Sequence, residues 1–232
     1  MSFPNVIHGS EEETFNSYTN ARYPVGSKMV IEDGRVFRFT EAAGTALVVG
    51  SLNQGAVPSA NGSGEAVATL AAGVLVLTGV GATTADYAVN ILKYGYVHTD
   101  NATSLPIMRV KSNTLLDAGA ATGTITLFVP TPTAIAAADT LSYIENPWRD
   151  VIIHDSPATA VYTGVCRITL AANAYGWLQT SGPCSVLYDS TTTAIASVND
   201  PVVGDTLVDG AVCGAAAGTT ETNPIVGYAL GV

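Results

Sequence analysis

The stretch 28-KMVIEDGRVFRFT-40 decides the fold class of this chain. Lys28–Ile31 is a short run rich in β-branched residues, and Arg35–Thr40 is rich in aromatic residues. Between them lies Asp33-Gly34, a dipeptide that favours the tight turn of a β-hairpin because glycine adopts positive φ without steric cost. The stretch therefore predicts two antiparallel strands joined at Asp33-Gly34.

Two further segments alternate apolar and polar side chains with the two-residue period of a β-strand. In Ile107–Lys111 the apolar residues alternate with Arg109 and Lys111. In Thr124–Val129 the odd-numbered residues are aliphatic, and the even-numbered residues are two threonines and a phenylalanine. We expect one face of this strand to lie in the core and the other to face solvent or a partner.

Short strands separated by turn residues recur in the last third of the chain. The expected strands are Val161–Leu170, Tyr175–Thr180, Cys184–Tyr188, Asp205–Val208 and Ile225–Leu230. Such spacing is typical of β-barrels and β-sandwiches. We therefore predict an all-β protein, with a small β-barrel or sandwich in the C-terminal third and a β-rich N-terminal region that carries the hairpin.

Two segments do not have a strand pattern. Leu52–Glu65 is dense in Gly, Pro, Ser and Asn and has no periodicity, so it is expected to be a loop. Thr83–Tyr94 is the one stretch that could be helical, but its apolar residues fall on two opposite faces and leave the assignment open.

The charge balance excludes some partners. The 232 residues carry 9 Lys and Arg against 19 Asp and Glu, a net charge of -10, and only 12% are charged, compared with about 25% in a typical soluble domain. The basic residues form no cluster that could neutralise phosphates, so nucleic acid is not an expected partner. From Ile168 to Val232 there is no Lys or Arg, and we expect this acidic part to face outward.

Three windows without charged residues are long enough to cross a membrane: Ala66–Ala85, Ala118–Ala138 and Ile168–Tyr188. Their Gly, Pro and polar residues do not suit a lipid-facing helix, so they are interpreted as buried or assembly-facing strands and no membrane contact is expected. The N-terminal residues lack the basic and apolar regions of a secretory leader.

No catalytic, cofactor or metal site is expected, and the chain is not expected to be an enzyme. His8, His98 and His154 have no metal-ligand spacing, and the latter two are expected to cap strands or bond backbone. Asp205 and Asp209 lie at turns, where aspartates usually bond local amides, and they lack the alternating oxygen ligands of a Ca²⁺ loop.

The cysteines indicate neither a metal site nor a disulfide framework. Cys166, Cys184 and Cys213 form no CxxC pair, and their odd number does not suit a disulfide framework. They are interpreted as small buried residues of a protein made in a reducing cytoplasm.

The chain is expected to have three parts: an N-terminal arm over 1–22, a contact domain over 23–150 and a barrel over 151–232. The arm is polar and acidic with scattered aromatic residues, and it would order on a partner or remain frayed. Trp177 is expected to fill the core. The candidate interface residues are Phe3, Phe15, Tyr18, Tyr23, Arg35, Arg38 and Trp148.

Several stretches resemble a known family. Gly164–Ile168, Val203–Gly210 and Asn223–Leu230 resemble the small β-barrel of tailed-bacteriophage head decoration proteins. In that family a Gly-Asp turn begins one strand and a Pro-Ile-Gly-x-Ala motif forms the closing strand, whereas this chain has an extra Val226. Tyr23–Ala46 is similar to other phage virion proteins.

The resemblance implies a cement protein, made in the host cytoplasm, that binds the outer surface of an icosahedral capsid. It implies the major capsid protein as a partner, together with self-association as a trimer or dimer. The expected action is to stabilise the shell by bridging capsomers. The alternative is a tail or head-fibre component that binds a host-surface receptor or glycan.

Overall fold

The computed structural model describes residues 6–57, 62–83, 85–100, 107–136, 138–215 and 224–231. Its regular structure is dominated by β-strands, which confirms the all-β prediction. A short 3-10 helix spans Glu11–Phe15. The first eight strands are β1 Val6–His8, β2 Lys28–Val30, β3 Val36–Glu41, β4 Leu52–Gln54, β5 Glu65–Ala66, β6 Val76–Val80, β7 Tyr96–Thr99 and β8 Ile107–Asn113. The others are β9 Gly123–Leu127, β10 Thr140–Ile144, β11 Ile152–Ile153, β12 Tyr162–Cys166, β13 Tyr175–Ser181, β14 Pro201–Gly204, β15 Val212–Gly214 and β16 Ile225–Tyr228.

The chain folds into two compact units. Unit 1 combines Met1–Val57 with Pro147–Val232, and unit 2 is the inserted segment Pro58–Asn146. These bounds differ from the three consecutive parts expected from the sequence. The reason is long-range pairing: β3 pairs with β13 over its whole length, so the four strands β1 to β4 share one sheet with β11, β12 and β13.

The seven-stranded sheet of unit 1 has the order β1-β2-β3-β13-β12-β4-β11. The hairpin at its start is confirmed, because β2 and β3 are antiparallel with Lys28 opposite Arg38 and Val30 opposite Val36. Gly34 has φ 85° in the connecting turn, a conformation that glycine adopts without strain.

The loop expected over Leu52–Glu65 is wrong at both ends, because Glu65 begins β5 and the first three residues form a strand, while 58–61 lie outside the described residues. Leu52–Gln54 forms β4, which is fully buried and lies between β12 and β11. Its polar side chains are hydrogen-bonded: Asn53 Nδ2 donates to the nearby Ser51 O at 2.8 Å, and Gln54 Nε2 donates to the distant Thr159 Oγ1 at 2.6 Å. A short polar strand of this kind gives no hydrophobic periodicity.

The three-stranded sheet of unit 1 has the order β15-β14-β16. The strands from 151–232 therefore enter two sheets, since β11 to β13 belong to the larger one. Two expected strands, Cys184–Tyr188 and Asp205–Val208, form no strand, although Tyr188 makes a single bridge to Val212. One core cluster contains buried residues of both sheets: Leu52, Val165, Val202, Val212 and Ala229.

Unit 2 is a six-stranded sheet of order β5-β10-β7-β8-β9-β6. The amide of Ala68, just after β5, donates to Thr78 O of β6 at 3.1 Å, so the two edge strands approach and the sheet curls. Ile125 and Leu127 of β9 are buried, as their alternation predicts, whereas Val129 lies beyond the strand and is exposed. The described residues of 83–94 form turns and an isolated bridge, not a helix.

Candidate interaction surface

The segment that precedes the hairpin is part of the fold of unit 1. β1 pairs with β2 in parallel, and the 3-10 helix buries Thr14 against the rest of the unit. Tyr18 and Tyr175 exchange backbone hydrogen bonds of 2.9 and 2.8 Å. Residues 6–22 therefore lie against their own chain, whereas the sequence predicted an arm over 1–22. Phe3, a candidate interface residue, lies outside the described residues.

Glu11 joins two arginines at the surface of unit 1. Its Oε1 atom lies 2.6 Å from an Arg35 nitrogen and 3.2 Å from an Arg167 nitrogen. The hydrogen bonds from Arg35 and Arg167 lower the pKa of Glu11 below its ordinary value. Arg35 also contacts Asp33 at 2.6 Å. This basic pair is therefore compensated by carboxylates of the same chain.

Tyr18 and Tyr23 are partly buried in an aromatic cluster with Phe39 and Trp177. The Tyr23 ring lies 5.3 Å from Phe39 and 5.3 Å from Trp177, measured between ring centres. Trp177 is fully buried, which confirms its expected place in the core. Both tyrosines therefore stabilise the fold of unit 1 through these ring contacts.

Arg38 and Trp148 form a separate pair. The Arg38 guanidinium carbon lies 4.7 Å from the centre of the Trp148 ring, and Arg38 donates to Gly26 O at 2.8 Å. Both are candidate interface residues from the sequence, and in the structure they contact each other in a cation–π arrangement.

A groove of about 440 Å³ opens on unit 1 beside the Glu11 cluster. Arg35 and Arg167 line it, and the Arg167 guanidinium stacks 4.3 Å from the centre of the Phe15 ring. Phe15, Val49 and Leu230 also line it, although they are 48%, 57% and 68% exposed. The groove thus combines large exposed apolar side chains with neutralised charges.

Two neighbouring residues extend this apolar area. Val48 precedes Val49 and is exposed, and the exposed Leu187 donates its amide to Gly50 O at 2.7 Å. We define the groove surface as Phe15, Val48, Val49, Leu187 and Leu230. Exposed apolar side chains that line one groove, as Phe15, Val49 and Leu230 do, mark sites where proteins bind other molecules.

Sequence reasoning found Phe15 of the groove surface and the groove-lining Arg35, but it missed the other four members of the groove surface. Val48, Val49, Leu187 and Leu230 lie in short apolar runs of connecting segments outside the named strands. Only the tertiary fold brings them together, because Leu47 pairs with Leu170 and Leu187 bonds Gly50. Their local sequence shows only large apolar residues, two of them within expected strands, and exposed apolar residues are too common to identify a site.

Cys184 also lines the groove and is exposed, so its expected burial is wrong, whereas Cys166 and Cys213 are buried as expected. Burial of the thiol raises the pKa of Cys166 to about 11. His154 is buried and its Nε2 lies 3.0 Å from Ala211 O, as expected for a histidine that bonds backbone. His98 instead pairs with Asp100 at 3.2 Å.

Unit 2 has a second exposed aromatic feature. Tyr94 and Phe128 stack with their ring centres 5.9 Å apart and their planes 18° apart. The Arg109 guanidinium lies 5.3 Å from the Tyr94 ring and 5.1 Å from the Phe128 ring. Tyr94 has φ 65°, a left-handed conformation that residues other than glycine rarely adopt. We call Tyr94, Arg109 and Phe128 the aromatic platform.

Comparisons with protein-family models, curated proteins and solved structures find no match to this chain. Among the residues that the structure describes, no helix is long and apolar enough to cross a membrane. Within the same residues, no group of three or more His, Cys, Asp and Glu side chains is arranged to hold a metal ion.

Proposed function

We propose that this chain is a structural virion protein that binds the outer surface of an icosahedral phage capsid and bridges its capsomers. The observation that carries the proposal is the groove surface, where apolar side chains about half exposed or more line or neighbour a groove whose arginines are already paired. Covering this surface contributes favourable binding free energy because it removes apolar area from water. The partner does not have to neutralise the two arginines, which are already paired.

The composition supports a function within an assembly. Only 12% of the residues are charged, and the exposed residues include many large apolar side chains. A protein that binds only the assembled shell stabilises it by mass action, and bridging adds an effective-concentration advantage. Shell symmetry favours several copies around a local axis, so the major capsid protein and a second copy of this chain are the proposed partners.

The test is sedimentation of the purified chain with capsids assembled from the major capsid protein of the same genome. We expect Leu230→Ser and Phe15→Ser each to lower occupancy on the capsids at least about tenfold, because each removes a large apolar contact. Leu207→Ser is the matched control, since Leu207 is 72% exposed and does not line the groove.

Two results would contradict the proposal at different levels. If the unmodified chain does not sediment with the capsids, the proposed function is wrong. If it does and all three variants bind equally well, the function stands but the groove surface is not the docking site.

A second candidate function is a tail or head-fibre component that binds a host-surface glycan, and the aromatic platform favours it. Stacked aromatic rings beside a guanidinium present the apolar faces and hydrogen-bond donors that suit a sugar ring. The strained backbone at Tyr94 is a common feature of ligand-binding positions.

This second candidate predicts binding to a printed glycan array. Tyr94→Ala and Phe128→Ala should each weaken the retained glycan at least about tenfold, because one half of the stack is lost. Tyr228→Ala is the control, since Tyr228 is an exposed tyrosine of unit 1. Binding that is absent, or unchanged in all three variants, would exclude the platform as a glycan site.

A further inference from the structure

Two aspartates flank the same short segment of unit 1. The amide of Asp205, directly after β14, donates to Ala211 O at 3.0 Å, and the amide of Asp189 donates to Val212 O at 2.9 Å. Their carboxyl groups are held by adjacent threonines, since Thr191 Oγ1 donates to Asp189 Oδ2 at 2.7 Å and Thr192 Oγ1 donates to Asp205 Oδ1 at 2.7 Å. Backbone pairing to adjacent residues thus brings together two acidic side chains that are 16 positions apart.

Asp205 is fully buried, and its two oxygens have different environments. Oδ1 accepts hydrogen bonds from the Thr206 amide at 2.6 Å, the Leu207 amide at 3.1 Å and Thr192 Oγ1 at 2.7 Å. This confirms that Asp205 bonds local turn amides. Oδ2 is also buried, yet it accepts no hydrogen bond. A buried carboxylate oxygen left without a partner is costly, so this atom points to a missing ligand.

The charge of the pair is not compensated by nearby basic residues. Residues 168–232 contain no Lys or Arg, and none of the ion pairs among the described residues includes Asp189 or Asp205. The amide and hydroxyl of Thr191 lower the pKa of Asp189, which keeps this carboxylate charged at neutral pH. Adjacent carboxylates repel each other unless a cation or a proton lies between them.

We propose that a divalent cation, with Ca²⁺ as the preferred ion, binds between Asp189 and Asp205. Asp205 Oδ2 supplies the buried ligand, Asp189 supplies a partly exposed carboxylate, and Thr192 Oγ1 is a neutral oxygen beside them. Ca²⁺ accepts such mixed oxygen ligands in irregular geometry and completes its shell with water. Mg²⁺ fits less well because it requires an octahedral shell and loses water reluctantly.

The sequence predicts no metal site, because no single segment contains all the proposed ligands. The ligands come from two segments joined by the fold and not from one loop with alternating aspartates. Two carboxylates also make a weak site, with a Kd on the order of 10⁻⁴ to 10⁻³ M, as in extracellular calcium modules. The ion would fasten the segment 189–192 to the end of β14.

The test is thermal unfolding of the full chain in EDTA and in 10 mM CaCl₂. For a Kd near the middle of that range we expect Ca²⁺ to raise the Tm by roughly 4–7 °C. Tb³⁺ gives a second readout, because Tyr188 is adjacent to Asp189 and should sensitise its luminescence, which Ca²⁺ then displaces. Mg²⁺ at the same concentration should raise the Tm less.

Asp205→Asn and Asp189→Asn should each remove most of the Tm shift and of the Tb³⁺ signal. Asp209→Asn is the matched control, because it removes the same charge from a nearby turn and Asp209 Oδ1 bonds the Ser156 amide. Equal shifts in all four proteins would show general screening of the acidic surface and overturn the proposal. It would also be overturned if Ca²⁺ does not change the Tm of the unmodified chain. In that case, a loss of stability between pH 5 and 8 would identify a shared proton in place of the cation.

Discussion

Replacing Trp177 with alanine is expected to lower the free energy of unfolding by about 3–5 kcal/mol, the range for truncating a large buried aromatic side chain. Trp177 lies in the middle of β13 and is fully buried. Its ring centre is 5.1 Å from that of Phe39 in an edge-on arrangement. The cavity left by alanine would be bounded by rigid rings that cannot collapse into it.

The same substitution also removes a polar contact. Trp177 Nε1 donates to Glu13 Oε1 at 3.2 Å, and Tyr18 Oη donates to the same oxygen at 2.7 Å. Trp177→Ala therefore loosens the 3-10 helix as well as the core. Trp177→Phe keeps most of the apolar volume but loses the donor, so its cost should be smaller, about 1–2 kcal/mol.

Denaturant unfolding followed by far-UV circular dichroism measures both variants, since it does not depend on the tryptophan signal. Trp148→Phe is the control, because Trp148 is only partly buried and stacks against Arg38 near the surface. A loss below about 1 kcal/mol for Trp177→Ala would contradict the rigid packing described for this cluster.

The parts of the fold that the sequence predicts correctly are those determined by neighbouring residues. The hairpin at Asp33-Gly34 and the alternation in β8 and β9 depend on turn chemistry and on a two-residue period, both visible in a short window. The position of β4 depends on partners about 100 residues away, because Gln54 bonds Asp155 and Thr159. No local pattern contains that information.

The candidate sites also divide into residues that local sequence can identify and residues that only the tertiary structure brings together. Phe15 and Arg35 could be selected because aromatic and basic residues are common at interfaces, and both line the groove. Tyr18 and Tyr23 meet the same criterion, but ring contacts place them in the aromatic cluster. The Asp189–Asp205 pair and the groove surface depend on pairings along 187–189 and 211–212, which only the tertiary structure shows.

The insertion of unit 2 leads to a prediction about folding. The chain leaves unit 1 after Val57 and returns to it at Pro147. A Cβ atom built on Gly55 would lie 3.0 Å from Pro147 O, so the two ends of the insertion are close within unit 1. Every strand pair of the seven-stranded and three-stranded sheets joins residues of unit 1. A short loop can replace an insertion whose ends are this close at little entropic cost.

Deleting residues 58–146 and joining the ends with about four Gly and Ser residues is therefore expected to leave unit 1 folded. Both tryptophans, Trp148 and Trp177, lie in unit 1, so their fluorescence should keep the blue-shifted emission of the full chain and one cooperative transition. The m-value should fall with the smaller surface exposed on unfolding. A contrasting deletion of 1–22 should destabilise the protein, because it removes β1, the 3-10 helix and the Glu13 contact to Trp177. If the chain that lacks 58–146 shows the red-shifted emission of exposed tryptophan, unit 1 depends on unit 2 for its stability. Independent folding of unit 1 would then be excluded.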